Sequence, residues 1–258
     1  MEWFDTHAHL GYAELRAELP RYLELAAAAG VTRMIAVGTD LCSSQVCLDL
    51  CDRHSNLWAS VGIHPNESAK AGADDWREIC SLATHPKVVA LGETGLDLYW
   101  KDAPLEVQQA NFRRHLEHSI ATGLPVIIHS RDCDAEILMA LGEFASRTPL
   151  AGVMHSFTGS WETAEKCLEL GLYISFAGMA TYKNAENIRS VAARVPANRI
   201  LVETDCPFLA PHPQRGQRPN HPAMVVHTGR CLAIARQESE RSFAAATTDN
   251  AKQLFRLA

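Results

Sequence analysis

Trp3-Phe4-Asp5-Thr6-His7-Ala8-His9-Leu10 places two imidazoles two residues apart at the end of a short apolar run. The period of two in a β-strand sends His7 and His9 to one side and Thr6 and Ala8 to the other. Two imidazoles on one face suit a shared metal ion, although polar histidines that merely close a strand give the same local pattern. The rest of the chain bears on that choice, because the arrangement recurs. Strand-like runs cover Trp3 to His9, Arg33 to Thr39, Leu57 to His64, Val88 to Asp97, Pro125 to Arg131, Ala151 to Phe157, Leu172 to Met179 and Ile200 to Pro207.

These eight runs start 21 to 37 residues apart, each interval long enough for a strand, a helix and two short loops. Strands alternating with helical patterns make a parallel sheet with helical crossovers. Eight such units in 258 residues predict an α/β fold of the (β/α)8 TIM-barrel type, which typically takes about 250 residues. We expect one domain spanning residues 1–258. Helices are predicted over Arg21 to Ala29, Leu105 to Thr122 and Trp161 to Leu170, ending at Gly30, Gly123 and Gly171. Met224, Val225, Thr228, Leu232 and Ile234 form one helical stripe and Phe243, Ala246, Leu254 and Phe255 another. Both are expected to pack on the barrel, and Thr247-Thr248-Asp249 reads as the cap of the last helix. The one long irregular stretch, Pro207 to Pro222, follows the last strand, where barrel loops build active sites.

Five other runs also end in residues fit for a metal or a phosphate. These are His64 in VGIHP, Glu93 in LGETGLD, His129 in VIIHSRD, His155 in GVMHSFTG, and Glu203 with Asp205 in LVETDCP. The C-terminal ends of barrel strands converge in space, so ligands scattered through the sequence meet there. The remaining histidines, His54, His85, His115, His118, His212, His221 and His227, fall in helices or loops and read as solvated or capping residues. Four imidazoles and two carboxylates exceed the needs of one tetrahedral zinc ion, and a carboxylate such as Glu93 can bridge two ions. Two divalent metals are the economical reading; one zinc ion among hydrogen-bonded polar groups is the alternative.

DTHAHL, GIHP, GETGLDLY, IIHSRD, HSFTG, ETDCPFLAP and RGQRPNHP, in that order over nearly the whole chain, resemble the TatD family of metal-dependent deoxyribonucleases within the amidohydrolase-like barrels. The resemblance implies one metal on His7, His9, Glu93 and Asp205 and a second on Glu93, His129 and His155. It further implies hydrolysis of DNA phosphodiesters, often from the 3′ end of single strands. His64 looks like the family's phosphate-contacting histidine. Arg215 and Arg218 match its RGxR segment, with Arg218-Pro219-Asn220-His221-Pro222 where many relatives carry Asn-Glu-Pro, and Leu98 stands where relatives often have an aromatic residue.

Around this set, Arg131 lies two residues beyond His129 and can fork onto a phosphate, unless it pairs with Asp132 or Asp134. Tyr99 is a candidate phosphate donor or base-stacking ring, or else packs on Trp100. Glu203 is expected to orient a ligand imidazole. Asp5 is expected either to do the same or to tie strands together. Asp205 and Glu93 are the expected catalytic carboxylates, Asp205 serving as ligand and proton acceptor beside an activated hydroxide. Cys206 reads as an inert core residue, since the nearby histidines leave it no general base.

Composition limits the partners. A net charge of −6 lacks the basic stripe of proteins that grip long nucleic acid, so a DNA substrate must be held locally and not as a stable partner. The acidic balance equally suits a small substrate, which keeps open a hydrolase of carboxylic esters or amides, of lactone or aminoacyl-ester type. Full retention of the ligand set argues against a catalytically silent binding protein. Apolar stretches such as Leu23 to Val31 fall well short of the roughly 20 residues that cross a bilayer. Strand-like sequence from Trp3 leaves no room for a signal peptide, so a cytoplasmic location with reduced cysteines, no membrane association and no obligate protein partner is expected. Imidazole-rich ligation suits zinc, nickel or manganese, while magnesium prefers oxygen.

Overall fold

The computed structural model describes residues 1–146 and 148–258. Its strands are β1 (Trp3–Ala8), β2 (Val31–Val37), β3 (Leu57–Val61), β4 (Val88–Asp97), β5 (Val126–Arg131), β6 (Gly152–Met154), β7 (Tyr173–Phe176) and β8 (Ile200–Val202). They pair in parallel in sequence order. A parallel bridge between Ala8 and Cys206 joins the last to the first. There His9 N–H donates to the Cys206 carbonyl (2.8 Å) and Asp205 N–H to that of His7 (2.9 Å). The fold is the (β/α)8 TIM barrel that the spacing predicts.

Ten α-helices accompany the strands among the described residues: α1 (Ala13–Arg16), α2 (Leu19–Ala28), α3 (Leu41–Arg53), α4 (Asp75–Leu82), α5 (Leu105–Thr122), α6 (Asp134–Ala145), α7 (Trp161–Glu169), α8 (Glu186–Arg194), α9 (Val225–Ala235) and α10 (Glu240–Phe255). The glycines predicted to end α2, α5 and α7 all adopt positive φ; Gly123, at 74°, donates to the Ser119 carbonyl and closes α5. The predicted cap of the last helix is wrong. Ser239 caps α10, its side chain accepting from Ser242 N–H, while Thr247 and Thr248 lie buried inside the helix. Thr247 Oγ1 donates to the Phe243 carbonyl one turn back (3.0 Å), the alternative use of a hydroxyl that makes Ser and Thr ambiguous signals. In the stripe on α9, Val225, Thr228 and Leu232 are buried as expected, but Ile234 is 78% exposed and belongs to the solvent face.

Two apolar clusters hold the barrel. Phe4, Ile35, Val89, Ile127, Val153, Tyr173 and Leu201, one from nearly every strand, meet in a cluster completed by Ala251, Leu254 and Phe255 of α10. Phe255 packs on Phe4 with ring centroids 6.4 Å apart, so the end of α10 closes the bottom of the barrel. The larger cluster fills the space between sheet and helices. At the opposite, C-terminal end the ladders stop early: β6 ends at Met154 and β8 at Val202, several residues short of the predicted Phe157 and Pro207. The chain beyond those points leaves strand geometry, with Ser156 at φ 45° and Asp205 at φ 53°. His9, His155 and Asp205 therefore stand on the rim just past the ladder.

Candidate metal centre

Six strand ends bring their polar residues to one point, with Glu93 of β4 in the middle and 3% exposed. Its Oε2 lies 3.3 Å from His7 Nε2 and 3.6 Å from His9 Nε2. Its Oε1 lies 2.7 Å from His155 Nε2, 2.9 Å from His129 Nδ1 and 3.4 Å from His64 Nε2. Asp205 Oδ1 joins the first side, 3.4 Å from His9 Nε2 and 3.7 Å from His7 Nε2. The two Glu93 oxygens thus face two separate imidazole groups. The rings of His7 and His155 stack with centroids 4.1 Å apart and connect the halves.

Partners behind the rings decide which nitrogen is bare. His9 Nδ1 sits 3.2 Å from the Val37 carbonyl, so it carries the hydrogen and leaves Nε2 free. His155 Nδ1 faces Glu203 Oε1 at 3.2 Å, again freeing Nε2. His129 is reversed: Nε2 donates to Asp97 Oδ2 (3.0 Å) and Nδ1 is the free atom. Each free lone pair points at the centre, as carboxylate- or carbonyl-backed imidazoles do when they bind metal. His7 Nε2 also points there, while its buried Nδ1 has no hydrogen-bond partner among the described residues. Donor atoms of His7, His9 and Asp205, of His7, Glu93 and His155, and of His64, Glu93 and His129 lie within 4.8 Å of one another in each group. This donor set fits divalent metal.

The electrostatics agree. Burial pushes the Glu93 carboxyl up, but His155, His64, His7 and the His129 hydrogen bond outweigh it and hold the group well below the ordinary carboxylate range. Burial pushes His155 down, and Glu93 with Glu203 overcomes that, raising its pKa well above normal. His9 and His129 are raised despite burial by their carboxylate neighbours. The same carboxylates that favour a proton on these rings would favour a bound cation.

His64 differs from the other rings. Its Nδ1 accepts the Asn66 backbone N–H (3.1 Å), so in the neutral ring Nε2 carries the hydrogen and faces the centre as a donor. Arg131 continues β5 onto the rim, and its guanidinium lies over the Tyr99 ring at 3.7 Å, 5.7 Å from Trp100. Tyr99 packs on Trp100, ring centroids 4.9 Å apart, and stays 52% exposed. No ion pair to Asp132 or Asp134 holds Arg131 among the described residues.

Glu203 backs His155 and also accepts from Ser156 N–H (2.7 Å). Asp5 does not back an imidazole. Its carboxylate accepts from Thr204 Oγ1 (2.6 Å), Thr204 N–H (2.9 Å) and His7 N–H (3.3 Å), tying β1 to the chain after β8. The β1–β2 register slips between Asp5 and Ala8, so strict alternation cannot be carried from His7 down to Asp5. Cys206 is fully buried, and burial beside Asp5 drives its thiol pKa well up, in line with an inert residue.

Two supports were not anticipated. Asp97, 1% exposed, orients His129 and takes the backbone N–H groups of Tyr99 and Trp100. Burial raises its pKa, but His129 and those donors bring it down to about 2. The signal was the period of two from Glu93 within Gly92-Glu93-Thr94-Gly95-Leu96-Asp97. His115, expected to be a solvated or capping residue, is instead fully buried on α5. Its Nε2 accepts the Ile63 N–H (3.1 Å) and Asn111 Nδ2 donates to the Ile63 carbonyl (2.7 Å), so α5 clamps both polar groups of the residue before His64.

A model of the family described as TatD related DNase matches residues 4–256. The chain belongs to the TatD family of metal-dependent hydrolases. Among TatD relatives, the uncharacterized metal-dependent hydrolase YcfH of Escherichia coli K12 is 40% identical over 257 residues, covering 98% of this chain and 95% of its own. The 3′-5′ ssDNA/RNA exonuclease TatD of Enterobacter lignolyticus is 33% identical over 259 residues, covering 99% of both. The crystal structure of YJJV, a TatD homologue from Escherichia coli K12, matches with a TM-score of 0.93 at 32% identity, over 99% of this chain and 98% of that one. No helix among the described residues of this TatD chain is long and apolar enough to cross a membrane.

Proposed function

We propose that this TatD chain hydrolyses phosphodiester bonds in nucleic acid, acting on single-stranded DNA from the 3′ end, with two divalent ions held across Glu93. His7, His9, Glu93 and Asp205 would hold one ion, and Glu93, His129 and His155 would hold the other. The division of the two Glu93 oxygens between two imidazole groups carries this reading. When bound, such a pair lowers the pKa of a water and neutralises phosphoryl oxygens. The choice of nucleic acid follows the relatives named as 3′-5′ ssDNA/RNA exonucleases.

The chain's own residues then divide the remaining work. Asp205 accepts the proton of the attacking water. Its backbone is held at φ 53° by the Asp205 N–H bond to His7 and the Phe208 N–H bond to the Asp205 carbonyl (3.0 Å); that conformation costs an L-residue roughly 1–2 kcal/mol, so it is imposed by its surroundings. His64 Nε2–H donates to a non-bridging phosphate oxygen, a role that needs a hydrogen where a metal ligand needs a lone pair. Arg131, laid flat on Tyr99, offers its guanidinium edge to the phosphate, and the exposed ring surface of the Tyr99–Trp100 pair that Arg131 leaves uncovered takes a base. Asp97 and Glu203 keep the tautomers of His129 and His155.

The net charge of −6 favours the second reading, hydrolysis of a small carboxylic ester such as a lactone or an aminoacyl ester. A 3′-labelled single-stranded oligonucleotide, an aminoacyl ester and a lactone, each offered to the metal-loaded protein, separate the two. Cleavage of the oligonucleotide is expected; turnover of an ester with the oligonucleotide left intact overturns the phosphodiesterase reading.

A further inference from the structure

Beyond the metal cluster, the loop after β8 closes against the loop after β7 around a cavity of about 170 Å³. Tyr182, Leu209, Arg215 and Arg218 form its walls, with Pro207 only two residues past Asp205. Both loops leave the C-terminal ends of their strands, so the cavity opens on the same end of the barrel as the histidines. Arg215 lies over the Tyr182 ring at 4.2 Å and is also hydrogen-bonded to that side chain, which fixes the guanidinium against the cavity wall. Neither Arg215 nor Arg218 has an ion pair among the described residues. Two guanidinium groups beside one cavity, without a carboxylate partner among the described residues in a protein of net charge −6, form a local anion site.

The walls are preformed. Gly178 approaches Leu209 so closely that a Cβ there would stand 1.9 Å from the Leu209 carbonyl oxygen, so only glycine lets the two loops meet. Asn220, fully buried, donates from Nδ2 to the carbonyls of Thr204 and Phe208, and its N–H donates to Pro207. One side chain thereby braces both the cavity wall and the residues flanking Asp205. The volume lies below the roughly 300 Å³ at which pockets take whole small molecules, so the cavity takes one group of a longer ligand.

We infer that Tyr182, Arg215 and Arg218 form a second phosphate subsite, which holds a neighbouring phosphodiester of a polynucleotide whose scissile phosphate lies at the Glu93 cluster. This rests on the phosphodiesterase reading above. Arg215 and Arg218 donate to the non-bridging oxygens, while Tyr182 holds the Arg215 guanidinium in place. Substrates with a single phosphate cannot use the subsite.

The test compares wild type with R215A/R218A on a single-stranded pentanucleotide and on bis(p-nitrophenyl) phosphate. The double variant is expected to raise KM for the pentanucleotide at least tenfold with kcat little changed, and to leave the one-phosphate ester unaffected. Anisotropy of a labelled pentanucleotide should show the same weakening. The slope of log affinity against log salt should flatten by roughly 0.7, the value of one single-strand phosphate contact. R215K, which keeps charge without the fork, should fall between. Unchanged pentanucleotide affinity and KM, or equal losses on both substrates, overturns the subsite. If wild type cleaves neither substrate, the phosphodiesterase reading fails, and the anisotropy arm still decides the subsite.

Discussion

Replacing His115 tests how the fold aims its donor at the centre. Burial holds its pKa at about 3 in the native protein, against the 6.5 of an ordinary imidazole. Above pH 6.5 native and unfolded chains both hold the ring neutral. As pH falls through 6.5 the unfolded chain takes up a proton that the native one refuses, and stability is lost at about 1.4 kcal/mol per pH unit. Between pH 8 and pH 5 that amounts to about 2 kcal/mol. His115→Leu removes the titration but strands the Ile63 N–H, a buried unsatisfied donor costing about 1–3 kcal/mol. His115→Gln keeps an acceptor and does not titrate.

In urea unfolding with chelator present throughout, so that metal linkage cancels between proteins, His115→Leu should be about 2 kcal/mol less stable than wild type at pH 8. That gap should close to near zero at pH 5. His115→Gln should lie within about 1 kcal/mol of wild type at pH 8 and exceed it by about 2 kcal/mol at pH 5. A wild-type-minus-variant difference that stays constant across this range refutes a buried neutral His115.

Glu93→Ala should lose at least one equivalent of metal and nearly all turnover, read by elemental analysis beside the activity assay; a variant that keeps both metals and rate contradicts bridging. His64→Ala should cost about 100- to 1000-fold in kcat with metal content unchanged, whereas loss of a metal equivalent would make His64 a ligand and not a donor. Because His155, His9 and His129 hold protons above their ordinary pKa, metal affinity should fall as pH drops through their raised range and binding should release protons. Calorimetry in buffers of different ionisation enthalpy measures that release. Asp97→Asn should weaken metal binding about 10- to 100-fold, and a titration showing wild-type affinity removes Asp97 from the support of His129.

The strand-end residues His7, His9, Glu93, His129, His155 and Asp205 could be named from the sequence because a barrel's topology alone brings strand ends together. Period two, helix-ending glycines and residue type are local properties, and they were enough for the fold and this gathering. Alternation failed where the ladder did: the register slip in β1 took Asp5 to Thr204, and the chain beyond Val202 left strand geometry before reaching Asp205. His115 carried a readable clue, since Gln108, Asn111, Phe112, His115, Leu116 and Ser119 mark one buried face of α5 at helical spacing. A polar stripe looks like a solvated face until something packs on it. Which nitrogen each imidazole presents was beyond the sequence altogether. Val37, Asp97, Glu203 and the Asn66 N–H set it, mostly from other strands, because a tautomer is fixed by its hydrogen-bond partner and such partners meet only when the chain has folded.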